Sequence, residues 1–480
     1  MAVVVILVLV VSSSVGYFLL ENSPSDCSVL GGKAILRSQL TPVKPGGAVT
    51  TYTLPSPDRF PNGVAAAADG SVWFGEQGVP GLGHLYSNGT LEEYAWPFSY
   101  PGRSSPSQTC AEKTAIWSVV LWNGRVWAED ETGNQLVGLD PATGSVRTIK
   151  LSGTDAFPYG LTTGPDGALW FTELFASKIG RVDTAGNLVE HSLPNGNRSV
   201  PAEIAFVNST RGYYVDVGVA GVKSGGLFQF NPQKFAPAQV GGGMTLYAPN
   251  SISLGTGGIW VTQHEAASLA FYDLVTKGWT IYPTSTVNYV DTTLPYFVRV
   301  NGSKVWFNEH YADRIAVIDF ATQSLTEYSI QTRRPASVDQ ITNSLTFALG
   351  RNGAWFAEYT ENTIGFVDAA FKPALGLSLA GSNNLQLAAG GKTNVTLSLA
   401  DTTGTRLTVQ AADSENFTSI PRLLRVTPAP ANLTLSESPQ PLRLTIQVDS
   451  STIPGEYTLL LTVSDGQVYR SVYLKVQVVP

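Results

Sequence analysis

One tryptophan register, repeated along most of the chain, constrains this 480-residue sequence more than any other feature. Trp73 opens "WFGEQGVPGLGHLY", Trp127 "WAEDETGNQLVGLD" and Trp170 "WFTELFASKIGRVD". Trp260 opens "WVTQHEAASLAFYD", Trp306 "WFNEHYADRIAVID" and Trp355 "WFAEYTENTIGFVD". All six place Leu or Ile nine residues after the Trp, and five of the six place Asp thirteen residues after it, Tyr86 being the exception. Between Trp170 and Trp260, "YYVDVGVAGVKSGGLFQFN" from Tyr213 supplies one more copy, with aromatics in place of Trp. The spacing of these seven repeats, roughly 40–50 residues, is what four-stranded β-propeller blades require.

Each repeat reads as four strands, A to D. In repeat 3, "FPYGLTTGPDG" is A with an Asp-Gly turn, "ALWFTE" is B, "KIGRVD" is C, and "LVEHSLP" is D, ended by its Pro. Repeat 7 lacks a D strand after Asp368, whereas "AVTTYTLPSP" (48–57) reads as a D strand without a blade. The N-terminal strand is therefore expected to complete repeat 7 and remove an open sheet edge. From about Ala370 the Trp register ends, and "NVTLSLADT", "LRLTIQVDSS", "GEYTLLLTVSDG" and "SVYLKVQVV" alternate like strands of an immunoglobulin-like sandwich. The expected class is all-β: a seven-bladed β-propeller over 48–369, then an Ig-like β-sandwich over 370–480.

Residues 1–21 are uncharged up to Glu21 and read as a signal peptide or a membrane anchor, followed by a tail over 22–47. Both alternatives export the rest of the chain, to a membrane-anchored or secreted location. In that setting Cys27 and Cys110, the only cysteines, are a candidate disulfide. Sequons at Asn88, Asn197, Asn208, Asn301, Asn394, Asn416 and Asn432 are candidate glycosylation sites. A net charge of −7 and 14% charged residues argue against a nucleic-acid partner and leave a membrane contact to the N-terminal segment.

The pattern Pro-x-Gly, Asp-Gly, Trp-Phe-x-Glu and Ile-Gly-Arg, seen in full in repeat 3, resembles the streptogramin lyases, the virginiamycin B lyase type of propeller. The resemblance covers roughly Thr50 to Asp368. It implies a catalytic His in a Glu-Pro-His-Gly element opening an A strand, and a Glu near the end of the following B strand that helps hold magnesium. This chain departs from that pattern: its dipeptides are Pro61-Asn62, Pro158-Tyr159, Pro249-Asn250 and Pro295-Tyr296, and none of its four His opens an A strand.

A polar ring remains. Three residues after each anchor come Glu76, Asp130, Glu173, Asp216, Gln263, Glu309 and Glu358, with His264 and His310 one residue further in repeats 5 and 6. Together with Tyr159 and Tyr296 at the A-strand starts, these are the candidate metal- or ligand-binding residues, and carboxylates of this kind suit magnesium or calcium. A structural reading stands beside it: Lys178 and Arg314 lie five residues after Glu173 and Glu309, where a cross-strand ion pair would form. The first functional expectation is an exported propeller that binds a cell-surface glycan, protein or other ligand. The alternatives are a metal-dependent C–O lyase acting on a small cyclic ester, with Glu309 and Glu358 holding metal and His310 as base, or a gluconolactonase-like lactone hydrolase.

Overall fold

The computed structural model describes residues 35–480 except 56–58, 99–113, 195, 219–223, 243, 286–292, 331–343, 402–405, 414–422, 428–432 and 435–437. The apolar N-terminal stretch, Cys27, Cys110, Asn416 and Asn432 lie outside the described residues. Among the described residues no helix is long and apolar enough to cross a membrane. Asn88, Asn208, Asn301 and Asn394 are exposed. The architecture is all-β, and the chain divides into two compact units. The first comprises the described residues of Met1–Pro45, Val49–Leu254 and Thr332–Ala369, the second those of Gly46–Ala48, Gly255–Gln331 and Ala370–Pro480.

Four-stranded antiparallel meanders build the first unit. In repeat 3 the strands are Pro158–Thr163, Leu169–Glu173, Lys178–Val182 and Leu188–Ser192, hydrogen-bonded in chain order. Repeat 1 adds a strand: Ile35–Gln39 pairs antiparallel with the D strand Thr90–Ala95. In repeat 7 the C strand Thr363–Asp368 pairs with Val49–Thr53, from Val49 opposite Val367 to Thr53 opposite Thr363. The Trp register sets how neighbouring meanders pack. Trp73 clusters with Ile116 and Val126 of repeat 2, while Phe74, on the opposite strand face, clusters with Trp355 and Ile364 of repeat 7. The glycine of "Ile-Gly" makes room for that Phe: a Cβ on Gly180 would come within 2.0 Å of the Phe171 ring, and one on Gly365 within 2.0 Å of Phe356. Fully burying each such ring contributes about 1.5–3 kcal/mol.

In the second unit, repeat 6 runs through Pro295–Asn301, Lys304–Glu309, Arg314–Asp319 and Ser324–Ser329. Its sheet does not end there. Val468–Val479 pairs antiparallel with the D strand, from Ser324 opposite Val472 to Tyr328 opposite Val468. The sheet then continues into Gly455–Ser464 and Arg406–Asp413. A second C-terminal sheet runs in the order Leu375–Ala380, Lys392–Asp401, Gln440–Val448 and Leu424–Thr427. Strand periodicity divides the side chains between two cores. Leu459, Leu461, Leu474 and Val476 fill the core with Leu397 and Leu444 of the second sheet. Leu460 and Tyr473 turn the other way and join Trp260, Leu269, Phe307 and Leu325 of repeats 5 and 6. The run "TLLLTV" is apolar on both faces because both are buried.

Candidate functional site

Four A strands open on a backbone that non-glycine residues seldom adopt. Phe60, Phe157, Ala248 and Leu294, each preceding a proline, have φ of 49°, 50°, 42° and 51°. Recurrence at one position marks a conformation imposed by the surrounding fold. The following proline then faces the ring acid across the A–B ladder: Pro61 opposite Glu76, Pro158 opposite Glu173, Pro295 opposite Glu309. A bulge follows in each case, so the A-strand starts and the B-strand ends lie at the same end of each blade.

The residues after the prolines are tied to one another or to neighbouring rings. Tyr159 is 1% exposed, and its hydroxyl accepts a hydrogen bond from Asn250 Nδ2 at 2.8 Å, linking repeats 3 and 5 past repeat 4. The Trp117 ring lies 5.3 Å from the Tyr159 ring. Asn62 Oδ1 accepts from Thr346 Oγ1 at 2.9 Å. These are the positions where the family pattern implies a catalytic His; here Tyr159 and Asn250 bridge two repeats.

The acids are held within their own blades. Glu309 is fully buried, 3.8 Å from Arg314, whose guanidinium also lies 3.5 Å from Glu327 and donates to Ser285 Oγ at 2.6 Å. The Tyr469 ring faces that guanidinium at 3.6 Å. Glu173 lies 3.9 Å from Lys178 Nζ, which is 3.5 Å from Glu190. In repeat 1, Arg59 takes the cation's place, 3.8 Å from Glu76 and 2.7 Å from Glu93. Asp130 accepts from Thr114 Oγ1 at 2.6 Å and from Gln135 Nε2 at 2.6 Å. Gln263 Nε2 donates to Ser268 Oγ at 2.9 Å, and Glu358 is buried.

Two carboxyls share one cation in repeats 1, 3 and 6. Burial, and then the charge of Glu327, pushes the Glu309 carboxyl well above the ordinary carboxylate range, opposed by Arg314. Burial and Glu93 do the same to Glu76, opposed by Arg59. Glu173 is pushed up to about 8 by burial and by Glu190, opposed by Lys178. A carboxyl whose folded pKa is raised contributes stability that is complete below its unfolded value of ~4.3 and is lost as pH rises through the folded value. Glu173→Gln is therefore expected to leave thermal stability at pH 5 nearly unchanged and to raise the midpoint at pH 8.5, where the wild-type carboxylate is charged. Thermal unfolding at the two pH values reads this directly, and a lower midpoint at pH 8.5 would contradict it.

The D-strand acids also recur at a near-fixed distance from the Trp: Glu93 and Glu190 follow their Trp by twenty residues and Glu327 by twenty-one, each in a Leu-x-Glu triplet. A second unrecognised set lies two residues after the Trp. Thr172 Oγ1 accepts from Gly160 N at 2.9 Å and donates to Ala202 O of the next repeat at 2.7 Å. Asn308 Oδ1 accepts from Phe297 N at 2.7 Å, and Glu129 accepts from Trp117 N at 2.8 Å. Thr172 and Asn308 thereby satisfy backbone groups that the bulges release from the ladder, and Glu129 does so for a backbone N–H just before its A strand.

His264 and His310 come together. Their Nε2 atoms are 2.7 Å apart, with ring planes 2° from parallel and centroids 5.0 Å apart. The centroid separation equals the N···N distance plus two ring radii, so the rings meet head to head rather than face to face. Tyr296 packs against both, 5.0 Å from His264 and 5.2 Å from His310. His310 is 1% exposed, and burial lowers the His264 pKa to about 4. Burial therefore favours the neutral form of His264 at pH 7, and the tautomers of the two rings decide which Nε2 donates. His84 instead bonds Ser71 Oγ at 2.8 Å and stacks on Trp73, and His191 stacks on Phe235.

Magnesium or calcium needs an open cage of oxygens. Glu76, Glu173 and Glu309 do not fit one as they stand, because Arg59, Lys178 and Arg314 sit against them. Among the described residues no group of three or more His, Cys, Asp and Glu side chains is arranged to hold a metal ion.

The model of the virginiamycin B lyase family matches residues 35–218. A virginiamycin B lyase of Nocardia farcinica (strain IFM 10152) is 33% identical over 168 residues, 35% of this chain and 53% of that protein. The chain thus spans about half the length of that relative. The structure of the Staphylococcus aureus virginiamycin B lyase superposes with a TM-score of 0.55 at 20% identity, covering 67% of this chain and 98% of that one. A catalytically inactive variant of that lyase, solved with quinupristin, gives 0.55 at 19% over 67% and 98%. The resemblance carried by the Trp-Phe-x-Glu and Ile-Gly motifs is borne out, and the all-β propeller of this chain is virginiamycin B lyase-like.

Proposed function

We propose that this protein is an exported, seven-bladed β-propeller with an Ig-like C-terminal module, held at the cell surface by its N-terminal segment, and that it binds an envelope glycan or protein. The observation that carries this reading is the tie between Tyr159 and Asn250 at positions where the family pattern implies a catalytic base. The ion pairs of Glu76, Glu173 and Glu309 support it further, since each of these carboxylates already faces a cation. Seven copies of the Trp register underlie the blade count, and the two stacked C-terminal sheets underlie the sandwich. The exposed sequons and the two cysteines belong to the same reading, as glycosylation sites and a disulfide of an exported chain.

The test is saturable binding of residues 22–480 to envelopes isolated from the source organism, before and after periodate oxidation of glycans. Binding lost on oxidation identifies a glycan ligand, and binding retained identifies a protein. No saturable binding in either case would overturn the proposal.

A second reading rests on the His264–His310 contact. An imidazole oriented by a second one is a side chain suited to general-base work. In a lyase acting on a cyclic ester, His310 would take the proton beside the ester, and the C–O bond would break as a C=C bond forms.

A further inference from the structure

The two histidines share more than proximity. Each lies one residue beyond the end of a B strand, after Gln263 in repeat 5 and after Glu309 in repeat 6. Each presents Nε2 along the same line, in parallel planes, at 2.7 Å. Their burial differs: His310 is closed off, whereas His264 keeps a partial opening to solvent. The ring of Tyr296 forms one wall against both imidazoles. The neighbouring carboxylate, Glu309, is engaged by Arg314 at 3.8 Å.

The 2.7 Å N···N contact is hydrogen-bond length, and a cation can take the place of the bridging proton if both imidazoles adopt the tautomer with hydrogen on Nδ1. The ion that suits such a site follows from coordination number. Magnesium and calcium take six or more oxygens. Zinc takes four ligands in a tetrahedron, with its two imidazoles set at an angle rather than head to head. A monovalent d10 ion is satisfied by two nitrogen donors on opposite sides, and imidazole is an accepted copper ligand. We propose that His264 and His310 form a linear two-coordinate site for Cu(I), reached from the solvent side of His264. With each metal–nitrogen bond near ~2 Å, the N···N distance must open by roughly an ångström, so loading requires the two side chains to rotate apart.

The experiment uses the full chain with Cys27→Ser and Cys110→Ser, so that thiols do not compete for the metal. It is titrated anaerobically with Cu(I) against a chromophoric chelator, and X-ray absorption is recorded on the loaded protein. The expected result is one equivalent of Cu(I) with two nitrogen scatterers and no sulfur, lost in His264→Asn and in His310→Asn, and no comparable binding of Zn²⁺. A first shell of three or four scatterers, or a sulfur scatterer, would overturn the linear site. So would stoichiometry unchanged in both variants, or Zn²⁺ bound as tightly as Cu(I). The absorption measurement needs no variant at the histidines, so a misfolded His264→Asn or His310→Asn protein does not rescue the idea. Failure here leaves the envelope-binding reading standing, because that reading is measured without metal.

Discussion

Tyr473→Ala is expected to destabilise the second compact unit by about 3–5 kcal/mol, the cost of truncating a buried aromatic in a packed core. Tyr473 is 1% exposed and lies in the C-terminal strand Val468–Val479, yet its ring packs with Trp260, Leu269 and Phe307 of repeats 5 and 6. It meets Tyr282 edge to face at 5.2 Å and donates from its hydroxyl to the Pro283 carbonyl at 3.0 Å. Tyr473→Phe keeps the ring and loses that hydrogen bond, so it is expected to cost only about 1 kcal/mol. Urea unfolding followed by tryptophan fluorescence separates the two variants, and equal losses would contradict the packing argument. Removing residues 370–480 is a larger insult. It strips the edge of Ser324–Ser329 that Val468–Tyr469 and their neighbours cover, leaving an unpaired strand prone to aggregation. The C-terminal module is therefore part of the fold of repeat 6 and more than a spacer.

The second large effect is expected at Arg314. Its guanidinium is buried between Glu309, Glu327, Ser285 and the face of Tyr469. Arg314→Ala removes the cation that faces both acids and leaves two buried carboxyls, a loss of about 3–5 kcal/mol. The sign of its pH dependence follows from the carboxyls. Burial already raises Glu309 and Glu327 above the ordinary range, and losing the cation raises them further. Their contribution to stability is complete below ~4.3 and is lost as pH rises through the folded values, so the deficit of the variant grows from acid to neutral pH. Denaturant unfolding at pH 5 and pH 8 measures it. A deficit under ~1 kcal/mol at both pH values would mark the pair as no stronger than a surface salt bridge.

Local rules made much of the fold legible in the sequence. Trp170, Ile179 and the glycine after Ile179 announce a B–C pair because blade packing fixes their spacing, and Gly180 must yield to the Phe171 ring. The cross-strand pairing of Glu173 with Lys178 and of Glu309 with Arg314 follows from hairpin register in the same way. What escaped is what depends on contacts between distant segments. Arg59 lies before its own A strand and reaches Glu76 and Glu93 only once the blade has closed. Leu459, Leu460 and Leu461 signal a strand buried on both faces, but nothing local says that Leu460 meets repeat 6. His264 and His310 could be placed at equivalent turns 46 residues apart, whereas the head-to-head contact depends on how two neighbouring blades pack.

We propose that the B-strand acids and A-strand starts among the described residues serve the packing of this propeller rather than catalysis. The most direct test incubates the full chain with quinupristin and magnesium and follows the depsipeptide ring by chromatography and mass spectrometry. The expected result is that the cyclic ester is recovered intact. A linear isomer of unchanged mass, formed only with the protein and lost in His310→Ala, would contradict it.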